Sequence, residues 1–143
     1  MSEENKAVAR RGIEEFLNTG DPDVADELFA AGYVDYNPFN PELSGVENIK
    51  KTVVDWHGAF HHARNTVEDV IAEGDKVVIR WSTRGIHRGK VMGITPAGNR
   101  VAVASIGIFR FSSGKIVESW DEHDAMGLLR QLGASPLPGQ GGD

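Results

Sequence analysis

The spacing of apolar residues changes once along this chain, and that change limits the possible folds more than any other feature. Before Thr66 the apolar positions recur every three or four residues; from Thr66 onward they recur every second residue. The first period belongs to amphipathic helices and the second to half-buried strands. Ala9, Ile13, Phe16 and Leu17 fall on one stripe, which predicts a helix over residues 3–19. Asp21-Pro22 supplies an N-cap followed by proline at the first helical position, opening a short helix to about Ala30. Tyr33 to Tyr36 reads as a brief strand, ended by the loop Asn37-Pro38-Phe39-Asn40-Pro41. Ser44 and Glu47 fit a capping box, and Val46, Ile49, Val53, Trp56 and Phe60 then step down one helix face. Strands are predicted over 66–72, 76–87, 100–111 and 115–122, with turns at Glu73-Gly74-Asp75 and Ser112-Ser113-Gly114. Leu128, Leu129 and Leu132 suggest a last short helix. Helices first and antiparallel strands afterwards make an α+β fold. One curved antiparallel sheet, wrapped around the N-terminal helices, gives a cone with an apolar interior.

Size and composition fit one such unit. A chain of 143 residues with 40% hydrophobic and 25% charged residues is one globular domain rather than a disordered segment. The domain is expected over residues 1–133, and the Pro/Gly-rich stretch 134–143 reads as a flexible tail. A domain of this length buries about two-thirds of its unfolded surface, enough for a core with a pocket inside it. Fifteen Lys and Arg against 21 Asp and Glu give a net charge of −6, which argues against nucleic acid or an anionic membrane as partner. With no cysteine, disulfides, thiolate metal sites and Cys nucleophiles are excluded. The polar N-terminus lacks the pattern of a signal peptide, and the longest apolar run, Val101 to Phe109, is too short to span a bilayer as a helix. A cytoplasmic location is the default expectation.

Side chains alternate across a sheet, so residue parity groups the candidate chemistry. On the strand from Lys76 the odd positions are Val77, Ile79, Trp81, Thr83, Gly85 and His87. On the last strand they are Val117, Ser119, Asp121 and His123. A three-residue loop at Ser112–Gly114 pairs Phe111 with Lys115, which sets Ser105 opposite Asp121 and Gly107 opposite Ser119; a one-residue bulge, which Gly114 invites, would break that register. If the odd faces line the inside, Asp121, His87, Ser105 and Trp81 meet in one cavity. A carboxylate there is desolvated, which strengthens it as a base, and a nearby imidazole holds a substrate oxygen or relays a proton. The competing reading makes Asp121 a solvated strand-end carboxylate or a helix cap, and His87 a hydrogen-bonded polar residue. On the even face Ile106, Ile108, Ile116 and Trp120 call for a cover, supplied by a second copy (a homodimer or homotetramer) or by the chain itself.

The segment His87-Arg88-Gly89-Lys90-Val91-Met92-Gly93-Ile94-Thr95-Pro96 resembles the G-x-H-x-G-x-x-x-G-x-x-P segment of the SnoaL-like polyketide cyclases. Gly114-Lys115-Ile116, Asp121, Asp124 and Arg130-Gln131-Leu132-Gly133 follow at the family's spacing, and Asn18-Thr19-Gly20, Tyr36-Asn37-Pro38 and Trp56 are similar to its earlier signposts. This resemblance implies an NTF2-like cone with a deep pocket. It further implies cofactor-independent acid/base chemistry, an intramolecular aldol condensation on a hydrophobic polyketide or cyclic ketone. The catalytic positions it implies are Asp121 and His87. Around them, Tyr36, Asn37, Met92 and Ser105 are expected to contact substrate together with the aromatic wall of Phe16, Trp56, Phe60 and Trp81. No metal or organic cofactor is implied. The family's histidine and glutamine are replaced here by Gly107 and Ser105.

Other patterns carry less. His57 and His61 share a helix face, but residue 58 is Gly, so the H-E-x-x-H metal pairing is absent. Gly85, Gly89 and Gly93 are followed by no strand-to-helix transition, so they form no phosphate loop. The alternatives to a cyclase are an isomerase, hydratase or hydrolase on the same cone, or a non-catalytic small-molecule binder or dimerisation module.

Overall fold

The computed structural model describes residues 2–36 and 45–133. The expected loop Asn37–Pro41, the capping residue Ser44 and the tail 134–143 fall outside that range. Helix α1 (Ser2–Arg11) continues through a π-helical turn (Gly12–Phe16) into the single turn α2 (Leu17–Thr19), ended by Gly20 in the left-handed region at φ 69°. Ala9, Ile13 and Phe16 are all buried, as the stripe required. Helix α3 (Pro22–Leu28) is capped by Asp21, whose carboxylate accepts from the Asp23 N–H at 2.9 Å. Strand β1 (Phe29–Asp35) and helix α4 (Val46–Ala59) follow. Strands β2 (Phe60–Glu73), β3 (Lys76–His87), β4 (Arg100–Ser112) and β5 (Lys115–His123) then lead to helix α5 (Ala125–Gln131).

These five strands make one curved sheet in the order β1-β5-β4-β3-β2, so the α+β class holds. Strands β2 to β5 form the antiparallel meander, and β1 adds at the edge parallel to β5. That parallel pairing has no local sequence signature, because α4 and the rest of the sheet separate the partners. The helices cover the face carrying the odd residues of β3 and β4, and along β3 buried and exposed positions alternate.

The β4–β5 register differs from the expected one twice. The turn is two residues long, Ser113 and Gly114, both at positive φ (52° and 80°), and it pairs Ser112 with Lys115. A bulge then skips Val117, so that Phe111 faces Ile116 but Arg110 faces Glu118. Each irregularity shifts the pairing by one residue. Together they restore parity while moving every partner: Gly107 stands opposite Asp121, and Ser105 opposite His123. Ile116, on the turn side of the bulge, points inward and is fully buried, which corrects its expected place on the outer face. Ile106, Ile108 and Trp120 do remain exposed there.

Candidate active site

The inward face of β5 meets the helices at a cavity of about 60 Å³. Its apolar wall comes from Ile13 and Leu17, from Phe29 on β1, from Ile49 on α4, and from Trp81 and Phe109 on the sheet. Its polar groups are Tyr33 and Asp35 of β1 with Ser119 and Asp121 of β5. The side chain of Asp121 is only 13% exposed. Gly107 leaves room for it: a Cβ at that position would stand 3.2 Å from Asp121 Cβ and 3.3 Å from the rings of Trp81 and Phe109.

Asp121 is held within its own strand face. His123 Nε2 lies 2.8 Å from Asp121 Oδ2, and His123 Nδ1 lies 2.6 Å from Ser105 Oγ. The Trp81 ring meets the imidazole edge-on, with centroids 5.9 Å apart. A second group of hydrogen bonds crosses from β5 to β1. The Tyr33 hydroxyl bonds Ser119 Oγ, which also reaches Asp35 Oδ1 at 3.5 Å. Burial pushes the Tyr33 phenol well above its ordinary range, and the nearby charges of Asp35 and Asp121 push the same way. Tyr33 is therefore a fixed, protonated hydroxyl on the cavity wall.

The expected site residues among those described divide into four places. Asp121 and Trp81 line the cavity, and Ser105 stands two hydrogen bonds behind Asp121, through His123. Phe16 is fully buried in the main core, against Phe29. His87, Trp56 and Phe60 lie elsewhere, in a second apolar cluster with Val101, Val103, Leu128 and Leu132. His87 is six residues along β3 from Trp81, about 20 Å at the rise of a strand. The imidazole bonded to Asp121 is thus His123, and the expected meeting of His87 with Asp121 does not occur. Tyr36 and Met92 are both 48% exposed, outside the cavity. Tyr36 stacks on Trp120 at 5.3 Å across the outer face and donates to Glu118, so its neighbours are surface groups rather than the cavity wall. Asn37 lies outside the described residues.

Parity places Ser119 and His123 on the correct face, but it attaches no role to Ser119 and only a disfavoured cation-binding one, within the run Asp121–Asp124, to His123. Tyr33 and Asp35 have the same parity on β1, but burial along that strand does not alternate cleanly, so the signal for them is weak. His57, singled out for a metal reading, bonds the Leu17 carbonyl through Nε2 at 2.8 Å, and His61 and His62 are exposed. Among the described residues no three His, Asp or Glu side chains are grouped to hold a metal ion, and no helix is long and apolar enough to cross a membrane.

His87 carries a stability prediction. Both ring nitrogens are buried and have no hydrogen-bond partner among the described residues, an arrangement that costs about 1–3 kcal/mol. His87→Leu, of similar volume and without polar atoms, is expected to raise the midpoint of thermal unfolding by about 3 °C. A lower midpoint would mean that the imidazole makes a favourable interaction in solution.

A carboxylate on an apolar wall, fixed by an imidazole and facing a protonated phenol, can take a proton from a carbon acid and return it to an oxygen. The chain is similar along nearly its whole length to proteins named for ring closure. The model of the SnoaL-like polyketide cyclase family matches residues 7–132. Aklanonic acid methyl ester cyclase DnrD of Streptomyces peucetius is 32% identical over 136 residues, covering 92% of this chain and 91% of the relative. Nogalonic acid methyl ester cyclase of Streptomyces nogalater is 32% identical over 127 residues, 85% of this chain and 92% of that one. The solved structure of TsrD from Streptomyces laurentii superposes with a TM-score of 0.84 at 31% identity, covering 92% of this chain and 96% of that one. On this family match and these relatives, the chain belongs to the SnoaL-like polyketide cyclases.

Proposed function

We propose that the chain closes a ring in a polyketide methyl ester by an intramolecular aldol condensation, with Asp121 as acid and base. Asp121 takes a proton from a carbon flanked by carbonyls. The enolate carbon attacks a ketone within the same molecule, forming one C–C bond, and the new alkoxide takes the proton back from Asp121. Nothing is gained or lost, so the product is an isomer of the substrate and no redox partner enters. The observation that carries this reading is the position of Asp121: a mostly buried carboxylate on an otherwise apolar cavity wall, in a chain of this family. The Tyr33 hydroxyl on that wall becomes the donor for the developing oxyanion by turning its proton from Ser119 Oγ to the substrate.

The cavity of about 60 Å³ holds roughly two waters, whereas sites for polycyclic ligands run to hundreds of cubic ångströms. Binding therefore requires the wall to move. Leu17 and Ile49, only half-buried, are the side chains placed to turn aside. The exposed Ile106, Ile108 and Trp120 support pairing with a second copy over the outer face, as a homodimer or homotetramer, and the reaction needs no location other than the cytoplasm.

Aklanonic acid methyl ester and nogalonic acid methyl ester, named for the relatives' reactions, are the probes. The expected result is conversion of at least one to a product of identical mass and altered chromatographic retention. Recovery of both unchanged would overturn the reading.

A further inference from the structure

We infer that His123 is the positioning residue for Asp121, and that Ser105 sets its orientation. This rests on the reading of Asp121 as the acid/base group. An ionised carboxylate only accepts hydrogen bonds, so Nε2, 2.8 Å from Oδ2, must carry a proton. In a neutral imidazole Nδ1 is then an acceptor, and the Ser105 hydroxyl, 2.6 Å away, is the donor that fits it. Ser105 is 4% exposed, so water does not compete for that bond. The ring has no freedom to flip: Trp81 closes one side edge-on, and both nitrogens are engaged. The result is a fixed N–H that commits Oδ2 of Asp121 to the protein and so sets the plane of the carboxylate at the cavity.

The register makes the arrangement possible. Asp121 and His123 are two residues apart on β5, on one face, and Ser105 pairs directly with His123 across the β4–β5 ladder. The counted register, Ser105 opposite Asp121, would have placed the serine on the carboxylate and left the imidazole without a fixed orientation.

Two side-chain amides separate positioning from packing. In His123→Gln the terminal amide nitrogen reaches the place of Nε2 and retains the bond to Asp121. In His123→Asn the shorter amide reaches the place of Nδ1 and retains only Ser105. With the wild-type probe ester, His123→Asn is expected to lose about 10- to 100-fold in kcat with KM within about threefold, the scale on which orienting partners act. His123→Gln is expected to stay within about fivefold. Equal losses in the two variants, or full activity in His123→Asn, would overturn the inference.

A second arm needs no turnover. His123 meets Asp121 on its own strand, and Ser105 and Trp81 on β4 and β3. In ¹⁵N NMR of the intact protein, the neutral His123 ring should carry its proton on Nε2 with Nδ1 as the acceptor. A neutral ring protonated on Nδ1 overturns the inference. If neither ester is converted by the wild type, the proposed reaction fails while this tautomer still decides the orientation of His123.

Discussion

Asp121→Asn loses about 10³-fold in kcat while the fold remains intact. The substitution changes one atom. The Asn Oδ1 still accepts from His123 Nε2–H at the place of Oδ2, and the side chain keeps its volume beside Gly107. What disappears is basicity, because an amide takes no proton from carbon at neutral pH. General acid–base groups contribute about 10²–10⁴ in rate, and Asp121 serves twice in one turnover, as base toward carbon and as acid toward the alkoxide. A loss near the middle of that range follows. The checks are kcat on whichever ester the wild type converts, exchange of the acidic substrate hydrogen with solvent deuterium, and the midpoint of thermal unfolding. Exchange should vanish with turnover, and the midpoint should move by no more than a few degrees. A variant within tenfold of the wild-type rate would assign the proton transfer to another group.

The fold was legible because it rests on periodicity. The stripe of α1 and the alternation of β3 and β4 are burial patterns, and each segment shows them without reference to the rest of the chain. The partners within the site were less legible because register is a long-range quantity, set by turn and bulge geometry rather than by pattern. Asp121 fell on the correct face because the two-residue turn and the bulge at Val117 cancel in parity. Neither irregularity leaves a strong mark, since Ser112-Ser113-Gly114 is compatible with either loop length. His87 shows the opposite limit. Its parity was right, and it is fully buried on the inner face. A strand of twelve residues is nevertheless longer than one cavity, so sharing a face does not mean sharing a site. His123 lies close to Asp121 because two residues on one strand face are neighbours whatever the register does.

Gly89→Ala is expected to destabilise the protein by about 3 kcal/mol, at the upper end of overpacking changes, lowering the thermal midpoint by about 10 °C. The N–H groups of Arg88 and Gly89 both donate to the Ala59 carbonyl, at 2.9 and 3.0 Å, which pulls the chain leaving β3 onto the junction of α4 and β2. A Cβ at Gly89 would stand 2.3 Å from the Gly58 carbonyl oxygen and 3.0 Å from Ala59 Cα. Both are backbone atoms, so no side chain can turn away to relieve the contact. Gly85, four residues earlier, meets the start of β2 in milder form, its Cβ falling 3.1 Å from Phe60 Cβ. Between them, His87 pairs with Phe60 in the ladder. The G-x-H-x-G segment, read first as a signpost to catalysis, therefore fastens the start of β2 to the end of β3. Gly58→Ala is the control. Nothing lies within 4 Å of a Cβ there, and the position is inside α4, so it should gain about 0.5–1 kcal/mol from helix propensity. Opposite shifts from two glycines whose backbones touch would establish close approach as the reason for Gly89. A Gly89→Ala variant as stable as the wild type would show that the junction yields, and the segment would then need an explanation in binding rather than in packing.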